Sequence, residues 1–358
     1  MPVDSTASDT VPTDTVEAED TEDTETSKPP IKKPIQNNNN SNKVELPWKL
    51  KYSGSVSIRD LTIDVGLGGE EVTIIQLSDL HFADCTEEDL KNPTLASMYE
   101  KRKGSSQNSL NNAKRCLDWA DTQAPDQIVI TGDCLDYLSQ GSLNLMDEYV
   151  WDRYREEDGS VQKVMAVVGN HEHYQQLQGT VPDTLSLEER YKMLEDNWEH
   201  DVYYSSKVLK DKVMLIQMHD YNPNGGYFWK GQAEKLSNDL AIARENGYTV
   251  LLFIHIPLQT LNQKYYNTSP LTGYGIEANV NYYRHNNYPG PTEGADLEVY
   301  NIITNNADLI AGVFCGHDHA DYYSEINAKT ADGTDKPIPQ YTLTKTTAYL
   351  ATTKITVK

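Results

Sequence analysis

The sequence predicts a layered α/β fold, in which strands alternate with helices. Short apolar runs rich in β-branched residues, such as Gln127 to Thr131 and Leu309 to Cys315, are typical of buried strands. Two stretches between such runs, 107–122 and 233–246, have apolar residues at helical spacing. Acidic residues and histidines directly follow several of the predicted strands, which is where α/β sheets form their ligand sites.

The first elements predict a β-hairpin, a long loop and a helix. Ser55 to Val65 and Val72 to Leu77 are apolar runs joined by a glycine-rich connection, which favours a hairpin. Phe82 to Ser106 shows no clear period and is interpreted as a loop. The helix over 107–122 is indicated by the spacing of Leu110, Ala113, Leu117 and Ala120.

The later elements alternate between strands and a helix. Buried strands are predicted at Gln127 to Thr131, Val164 to Val168, Val213 to Met218, Val250 to Ile254 and Leu309 to Cys315. A helix over 233–246 has Gly247 as its expected C-cap. Alternating apolar residues after Asp321 predict antiparallel strands at Tyr322 to Ile326, Gln340 to Leu343 and Ala348 to Val357.

The composition divides the chain into a polar leader and one domain. Residues 1–45 are rich in Asp, Glu, Thr and Asn with almost no large apolar side chain, so we predict a disordered, charged spacer. Residues 46–358 are enough to bury the core of a single domain. The net charge of −23 and a pI near 4.7 disfavour a nucleic-acid-binding surface, which needs clustered Lys and Arg.

Signals for the cellular compartment are few. The cysteines have no C-x-x-C spacing, so we expect small buried thiols rather than a disulfide or a redox pair: Cys85, Cys116, Cys134 and Cys315. No apolar run reaches membrane-spanning length, and the N-terminus has no signal-type apolar core. A Thr- and acid-rich spacer ahead of a Tyr- and Asn-rich domain favours an extracellular or cell-surface location with a signal or anchor that was removed. The alternative is a cytoplasmic one.

Two connections are unusually long, Tyr174 to Glu199 and Gln259 to Glu298. Connections of this length are usually functional or disordered. The second begins just after His255 and contains six tyrosines, which suit contact with a base, a sugar or a headgroup. A self-packed surface loop is the alternative.

Five short motifs of acidic residues and histidines occur in one order along the chain. They are Asp79-Leu80-His81, Gly132-Asp133-Cys134-Leu135-Asp136, Gly169-Asn170-His171-Glu172, His255 and Gly316-His317-Asp318-His319. Carboxylate oxygens and imidazole nitrogens are ligands for hard and borderline divalent metals. The set is large enough to bind two ions that share one carboxylate.

These motifs resemble the pattern of the calcineurin-like metallophosphoesterase superfamily, D-x-H, G-D-x-x-D, G-N-H-E/D, H and G-H-x-H. The resemblance spans Asp79 to His319 and implies two mixed β-sheets packed face to face, a four-layer α/β/β/α sandwich of the metallophosphoesterase type. The segments Phe253 to Pro257 and Phe314 to His319 look most like the bacterial phosphodiesterase and acid-phosphatase-like branches.

The resemblance also implies a dinuclear centre of transition-metal ions, with Mn, Fe or Zn as the expected metals. Seven residues match ligand positions, with Asp133 bridging the ions: Asp79, His81 and His319 on one ion, and Asn170, His255 and His317 on the other. A hydroxide shared by both ions would attack the phosphorus. His171 would act as general acid, and Asp136 would accept a hydrogen bond from it and hold its tautomer. The alternative for Asp136 is a turn residue that caps its loop.

The chain differs from two other branches of this superfamily at several motif positions. Purple acid phosphatases have a metal-binding tyrosine where this chain has Asp136, and they lack the histidine that His81 supplies, so an Fe(III)–tyrosinate centre is not expected. Tyr137 and His173 stand where protein Ser/Thr phosphatases have arginines. His219 and Asp220 end a predicted strand and are candidates for contacts with the ligands or the substrate, whereas His173, His200 and His285 match no position.

The leading interpretation is a metal-dependent phosphoesterase that hydrolyses a small phosphomonoester or phosphodiester. One alternative is a hydrolase of a pyrophosphate in a nucleotide or a phospholipid headgroup. The other is a non-catalytic module that uses the metal cleft for recognition. Modules of that kind usually lose ligands, and none is missing here.

Overall fold

Two mixed β-sheets form the centre of the structure, a computed structural model that describes residues 47–175, 183–223, 226–258, 266–267 and 294–358. Within these residues the first sheet has six strands, in the spatial order β1 (Trp48–Ser53), β2 (Val56–Ile63), β13 (Ala351–Val357), β3 (Val72–Leu77), β4 (Gln127–Thr131) and β5 (Val164–Val167). The second has seven, in the order β6 (Tyr204–Leu209), β7 (Val213–Met218), β8 (Thr249–Phe253), β10 (Ile310–Cys315), β12 (Ile338–Thr342), β11 (Tyr322–Ile326) and β9 (Tyr266–Asn267).

Helices cover the outer face of each sheet. The first sheet packs against α1 (Pro93–Thr122), α2 (Gln140–Met146) and α3 (Leu187–Asn197), and the second against α4 (Gln232–Asn246) and α5 (Gly294–Thr304). A single-turn helix, α6 (Thr346–Tyr349), precedes β13. The inner faces meet in one apolar layer, where Val129 and Val167 of the first sheet join Leu251 and Phe253 of the second. The predicted α/β/β/α sandwich is therefore confirmed.

Parallel strands bring the motifs to one edge of the structure. β3, β4 and β5 are parallel neighbours, and so are β7, β8, β10 and β12. Backbone hydrogen bonds continue past the strand ends: the amides of Asp79 and His81 donate to Gly132 and Asp133 at 3.0 and 2.9 Å, and Gly316 donates to His255 at 3.0 Å. The motif backbones are thus extensions of the sheets, which is why motifs far apart in sequence lie together.

The hairpin predicted between β2 and β3 is wrong. β2 pairs with β1 across a two-residue turn at 54–55, the commonest hairpin length. β13 lies between β2 and β3, parallel to the first and antiparallel to the second. The last predicted strand therefore does not pair with β11 and β12, because its apolar residues Ile355 and Val357 fill the layer between the sheets.

The helix predicted over 107–122 begins earlier, at Pro93. Asn92 caps it by accepting a hydrogen bond from the amide of Thr94 at 2.9 Å, and proline is well suited to the first helical position. The residues between Met98 and Ala113 are not buried, so no apolar period marks this part of the helix. The predicted loop over Phe82 to Ser106 is corrected accordingly.

The other predicted strands and the helix α4 agree with the structure to within about three residues. All four cysteines are free, as predicted, and three of them are buried. Among the described residues, no helix combines the length and apolarity needed to cross a bilayer. Leu46 to Lys358 form one compact unit.

Some predictions fall on residues outside the described ranges. The spacer predicted over residues 1–45 is one of them. The connection from Gln259 to Glu298 is another, apart from the backbone of β9 and the start of α5. The connection from Tyr174 to Glu199 contains α3, and its residues 176–182 are also outside.

A buried arginine ties the two sheets together next to the motifs. Arg59 of β2 donates to the hydroxyl of Thr353 on β13 at 2.6 and 3.0 Å and to the carbonyl of Thr342 on β12 at 2.6 Å. Its guanidinium also lies 3.4 Å from the buried carboxylate of Asp321 and stacks over Trp48. Because Arg59 is buried, these bonds have no competition from water.

We predict that Arg59→Met destabilises the protein by about 3–5 kcal/mol, because it leaves a buried carboxylate and a buried carbonyl without their cation. The free energy of unfolding in urea would measure this. Lys51→Met is the control, since Lys51 forms an exposed ion pair with Asp60, and a change of at most about 1 kcal/mol is expected. A loss below 1 kcal/mol in Arg59→Met would contradict the structural role of the link.

Candidate metal centre

The motif backbones adopt a strained conformation where they leave the strands. Five non-glycine motif residues have a left-handed backbone with φ between 47° and 69°: Asp79, His81, Asp133, His317 and His319. Each such residue costs about 1–3 kcal/mol, and strain of this kind concentrates at functional sites. The left-handed turn redirects neighbouring side chains, so that Asp79 and His81 can both face the same side.

The glycine before Asp133 makes room for a side chain from the other sheet. A Cβ at Gly132 would overlap Nδ1 of His255 and lie 2.5 Å from its Cγ. The absence of a side chain at Gly132 allows the imidazole of His255 to pass and to donate from Nδ1 to the carbonyl of Thr131 at 2.8 Å.

A first group of ligand atoms comes from the first, second and fifth motifs. Asp79, His81, Asp133 and His319 each offer one atom, and these atoms lie within 4.8 Å of one another. Nε2 of His319 is 3.2 Å from Oδ1 of Asp79 and 3.2 Å from Nε2 of His81. Nδ1 of His81 faces the carboxylate of Asp136 at 3.2 Å, which leaves Nε2 as the free ligand atom.

A second group comes from the second to fifth motifs. Asp133, His255 and His317 form it, again with atoms within 4.8 Å. Oδ1 of Asn170 lies 3.0 Å from both Nε2 of His255 and Nδ1 of His317, and these two nitrogens are 3.3 Å apart. His317 thus presents Nδ1, whereas His255 presents Nε2.

Asp133 belongs to both groups and faces each with a different oxygen. Its Oδ1 is 3.2 Å from Nε2 of His255, and its Oδ2 is 3.8 Å from Nε2 of His81. The amide of His171 donates to Oδ1 at 3.0 Å and orients the carboxylate. The structure therefore brings together all seven residues that the sequence proposed as ligands, in the two predicted sets.

The chemistry of these atoms fits two metal ions. Oδ1 of Asp79 is buried and, among the residues that the structure describes, accepts no well-aligned hydrogen bond, although Nε2 of His319 lies 3.2 Å away. A buried carboxylate oxygen without a donor is costly unless a cation binds it. Ring nitrogens that converge on one point with carboxylate oxygens are the set preferred by borderline divalent metals.

Charge interactions among the ligand residues are strong. Burial acts to raise the pKa of the Asp133 carboxyl, but His171 and His255 outweigh it and lower that pKa. Burial opposes protonation of His255, yet Asp133 and Asp79 raise its pKa to about 10. A metal ion that binds at Nε2 of His255 would displace the proton that these carboxylates favour there. Burial and the neighbouring His255 lower the pKa of His317 to about 3.

The predicted acid, His171, lies beside the first group. Its Nδ1 donates to the backbone carbonyl of Asp136 at 2.9 Å and is 3.6 Å from the carboxylate. The backbone carbonyl of Asp136 thus accepts the hydrogen bond that holds this tautomer, and the carboxylate of the same residue lies close enough to His171 to raise its pKa. The carboxylate accepts from His81 and pairs with Nε of Arg102 at 3.0 Å.

His81, Asp136 and His171 also lie close enough to form a third metal-binding group. Two observations favour a hydrogen-bonded network here. Arg102 already supplies a cation to Asp136, and Nδ1 of each histidine donates to Asp136. We therefore interpret Asp136 as the residue that orients both imidazoles.

Buried acids support the motif backbones from behind. Glu172 accepts hydrogen bonds from the amides of Leu135 and Gly169 at 3.0 and 2.8 Å. Asp220 accepts from the amides of His255 and Ile256 at 3.0 and 2.9 Å. Burial raises the pKa of each carboxyl to about 7. Asp220, a candidate from the sequence, thus contacts the backbone of a ligand residue.

The remaining histidines that the structure describes do not face the ligand groups. Nε2 of His173 and Nε2 of His219 are 2.8 Å apart in a buried pair, packed by Tyr191 and Trp229. His200 hydrogen-bonds to the backbone of Ala166 at 3.1 Å. His285 lies outside the described residues.

Two cations near the centre had no signal in the motif analysis. Arg102 comes from the part of α1 that was predicted as a loop. Lys345 lies between β12 and α6, beyond the last motif, and its charge acts on both His81 and Asp136. Lys345 is flanked by the threonines Thr344, Thr346 and Thr347, and this run of hydroxyl residues is the one local feature of the sequence that could have drawn attention to it.

Comparisons with known proteins agree with this geometry. A family model described as calcineurin-like phosphoesterase matches residues 72–321. No curated protein matches the sequence significantly.

The solved structures that the chain is similar to include the following three. A dimetal phosphatase from Danio rerio is 14% identical, with a TM-score of 0.42, and the match covers 76% of this chain and 87% of that one. A purple acid phosphatase from yellow lupin (Lupinus luteus) seeds is 12% identical, with a TM-score of 0.44 and coverages of 81% and 46%. A putative 5'-nucleotidase from Staphylococcus aureus is 12% identical, with a TM-score of 0.33 and coverages of 76% and 54%.

We predict that Gly316→Ala disrupts the centre, because a Cβ there would overlap the hydroxyl of Ser78 and lie 2.6 Å from Oδ2 of Asp79. The expected result is a loss of at least half the bound metal and a destabilisation of about 1–3 kcal/mol. Elemental analysis and urea unfolding would measure these. Gly104→Ala is the control, because nothing lies within 4 Å of a Cβ there. Full metal content in Gly316→Ala would show that Asp79 need not hold its position.

Proposed function

The chain belongs to the calcineurin-like phosphoesterase family, and from this premise we propose that it hydrolyses a small phosphomonoester or phosphodiester with two metal ions and His171 as general acid. The observation that carries the proposal is Asp133, whose two oxygens face two separate groups of imidazoles. Family membership makes the chain a hydrolase of phosphoester bonds. A non-catalytic binding module would be expected to lack one or more of the ligand residues. Because all seven are present, we do not favour that alternative.

The residues of the two groups would hold the ions. Asp79, His81 and His319 would bind one, Asn170, His255 and His317 the other, and Asp133 both. When bound, the ions would polarise the phosphoryl oxygens and generate the nucleophile from water. Imidazole and carboxylate ligands suit Mn, Fe and Zn, which we propose as the native metals.

The protein itself contributes orientation and a proton. His171 is partly exposed and lies beside both Asp133 and Asp136, at the edge of the ligand groups. Burial opposes its protonation, but Asp133 and Asp136 raise the pKa of His171 to about 9. Its Nδ1 is committed to the carbonyl of Asp136, so the proton on Nε2 is the one available to a leaving oxygen.

We predict that the purified protein binds about two transition-metal ions per chain and that Asp133→Asn reduces this to less than half an ion. An amide cannot supply a negative oxygen to both groups. Elemental analysis after dialysis against metal-free buffer would measure the content. Asp335→Asn, at an exposed carboxylate paired with Lys329, should keep both ions. Fewer than half an ion in the wild type, with no rebinding of added Mn²⁺, would refute the dinuclear proposal.

We predict that His171→Ala keeps the metals but lowers kcat by about 10²–10⁴ on substrates with poor leaving groups, which need a proton. The loss should shrink on p-nitrophenyl phosphate, whose leaving group needs little protonation. A series of aryl phosphates of rising leaving-group pKa would measure this dependence. His200→Ala, at a partly buried histidine that hydrogen-bonds to the backbone of Ala166, should show no such dependence. A metal-free His171→Ala variant would mean that His171 is a ligand.

A further inference from the structure

The segment Thr344 to Thr347 is pinned between the first and last motifs. The hydroxyl of Thr344 donates to the carbonyl of His319 at 2.6 Å. Thr346 exchanges hydrogen bonds of 2.9 Å with the backbone of Ser78. The hydroxyl of Thr347 donates to the carbonyl of Asp79 at 3.2 Å. The position of Lys345 relative to the ligand residues Asp79 and His319 is therefore fixed on both sides.

Lys345 is a cation without a counterion of its own. It is partly buried, and no carboxylate or other acceptor among the described residues forms a hydrogen bond or ion pair with its ammonium group. Burial lowers the pKa of Lys345, whereas Asp136, Asp79 and Asp133 are near enough to raise it. A partly buried ammonium with unused donors is unfavourable unless an anion binds it. Lys345 also lies outside the region matched by the family model.

Arg102 provides a second cation on the same side of the centre. Its Nε is 3.0 Å from Oδ2 of Asp136, and its side chain remains about one-third exposed. Arg102 and Lys345 are near enough to repel each other, and both are attracted by Asp136. The charge of Asp136 thus acts on two cations, and Lys345 also interacts with the charges of the ligand residues Asp79 and Asp133.

We propose that Lys345, with Arg102 beside it, binds the phosphoryl oxygens of the substrate and selects a dianionic phosphomonoester over a monoanionic phosphodiester. The proposal rests on the proposed phosphoesterase function. Ammonium and guanidinium groups bind phosphate oxygens through charge-assisted hydrogen bonds, and a terminal phosphate offers one more unesterified oxygen and one more charge than a diester. Protein Ser/Thr phosphatases have arginines at the positions of Tyr137 and His173. In this chain Lys345 and Arg102 would supply cationic contacts in their place.

The experiment compares Lys345→Met, Lys345→Arg and wild type on p-nitrophenyl phosphate and bis(p-nitrophenyl) phosphate. Both substrates release the same leaving group, so a difference between them reports the phosphate and not the acid. Lys345→Met should lower kcat/KM on the monoester by about 10², the usual effect of removing one preorganised donor. The loss on the diester should be at least tenfold smaller, and Lys345→Arg should recover much of the monoester activity.

Binding of inorganic phosphate by calorimetry gives a readout that does not depend on turnover. Lys345→Met should raise the Kd by about 10- to 100-fold while the metal content stays at the wild-type value. Lys336→Met is the matched control, because Lys336 is an exposed lysine in the connection before β12 and should behave as wild type.

The outcomes separate this proposal from the proposed function. A wild-type protein that cleaves neither ester would refute the phosphoesterase proposal itself. Wild-type activity with equal losses on both esters in Lys345→Met, or an unchanged Kd for phosphate, would overturn the role of Lys345 alone. Loss of metal in both Lys345→Met and Lys345→Arg would overturn it too, because the lysine would then support the ligands.

Discussion

The carboxylate of Asp133 is the group on which the rest of the centre depends. It is buried, and it lies within 4 Å of ring nitrogens of His81, His171 and His255. A buried carboxylate stays ionised only when cations or donors compensate for the lost water. Here the compensation comes from strands of both sheets, so the two sheets must pack in register for Asp133 to remain charged. Metal ions bound by these residues would replace the protons of the imidazoles in that role.

The surrounding fold supports the cluster of Asp133 and its neighbouring histidines. Between the sheets the core is apolar, and it ends at the edge where the motif residues begin. There, left-handed residues turn the chain away from the strands at an energetic cost, and the acids Glu172 and Asp220 bind amides that the turns leave unpaired. Arg59 performs a similar task at the neighbouring seam, where it satisfies a carbonyl of the second sheet from the first. Stability and site geometry are therefore coupled through the same backbone groups.

The centre is asymmetric in its surroundings. On the side of His81, Asp136 is shared by two imidazoles and bordered by Arg102 and Lys345. On the side of His255, the neighbours are backbone carbonyls, amides and the stacked aromatic residues around His219. A phosphate oriented by such a centre would have its charged oxygens toward the cations. The leaving group would then have to lie near His171.

The sequence by itself determined most of the strands and the order of the motifs. These features follow from local pattern: apolar β-branched runs specify buried strands, and the residues after a parallel strand must lie at its carboxyl end. The identity of the seven residues that now lie together came from the resemblance of the motifs to a known family pattern. The first strand, β1, and the strand β6 were not predicted. The polar middle of α1 had no such pattern, and its cap at Asn92 and Pro93 was overlooked.

Only the tertiary structure decided the contacts that depend on distant neighbours. β13 pairs with β2 and β3, although other strands have a similar apolar pattern and could also have been its neighbours. Packing between the two sheets decides which strands it pairs with. Which atom of Asp136 meets His171, and which ring nitrogen His317 presents, depend on side-chain placement to within about an ångström. Arg102 and Lys345 reach the centre from elements with no motif, because electrostatic attraction acts through space and leaves no fixed spacing in the sequence.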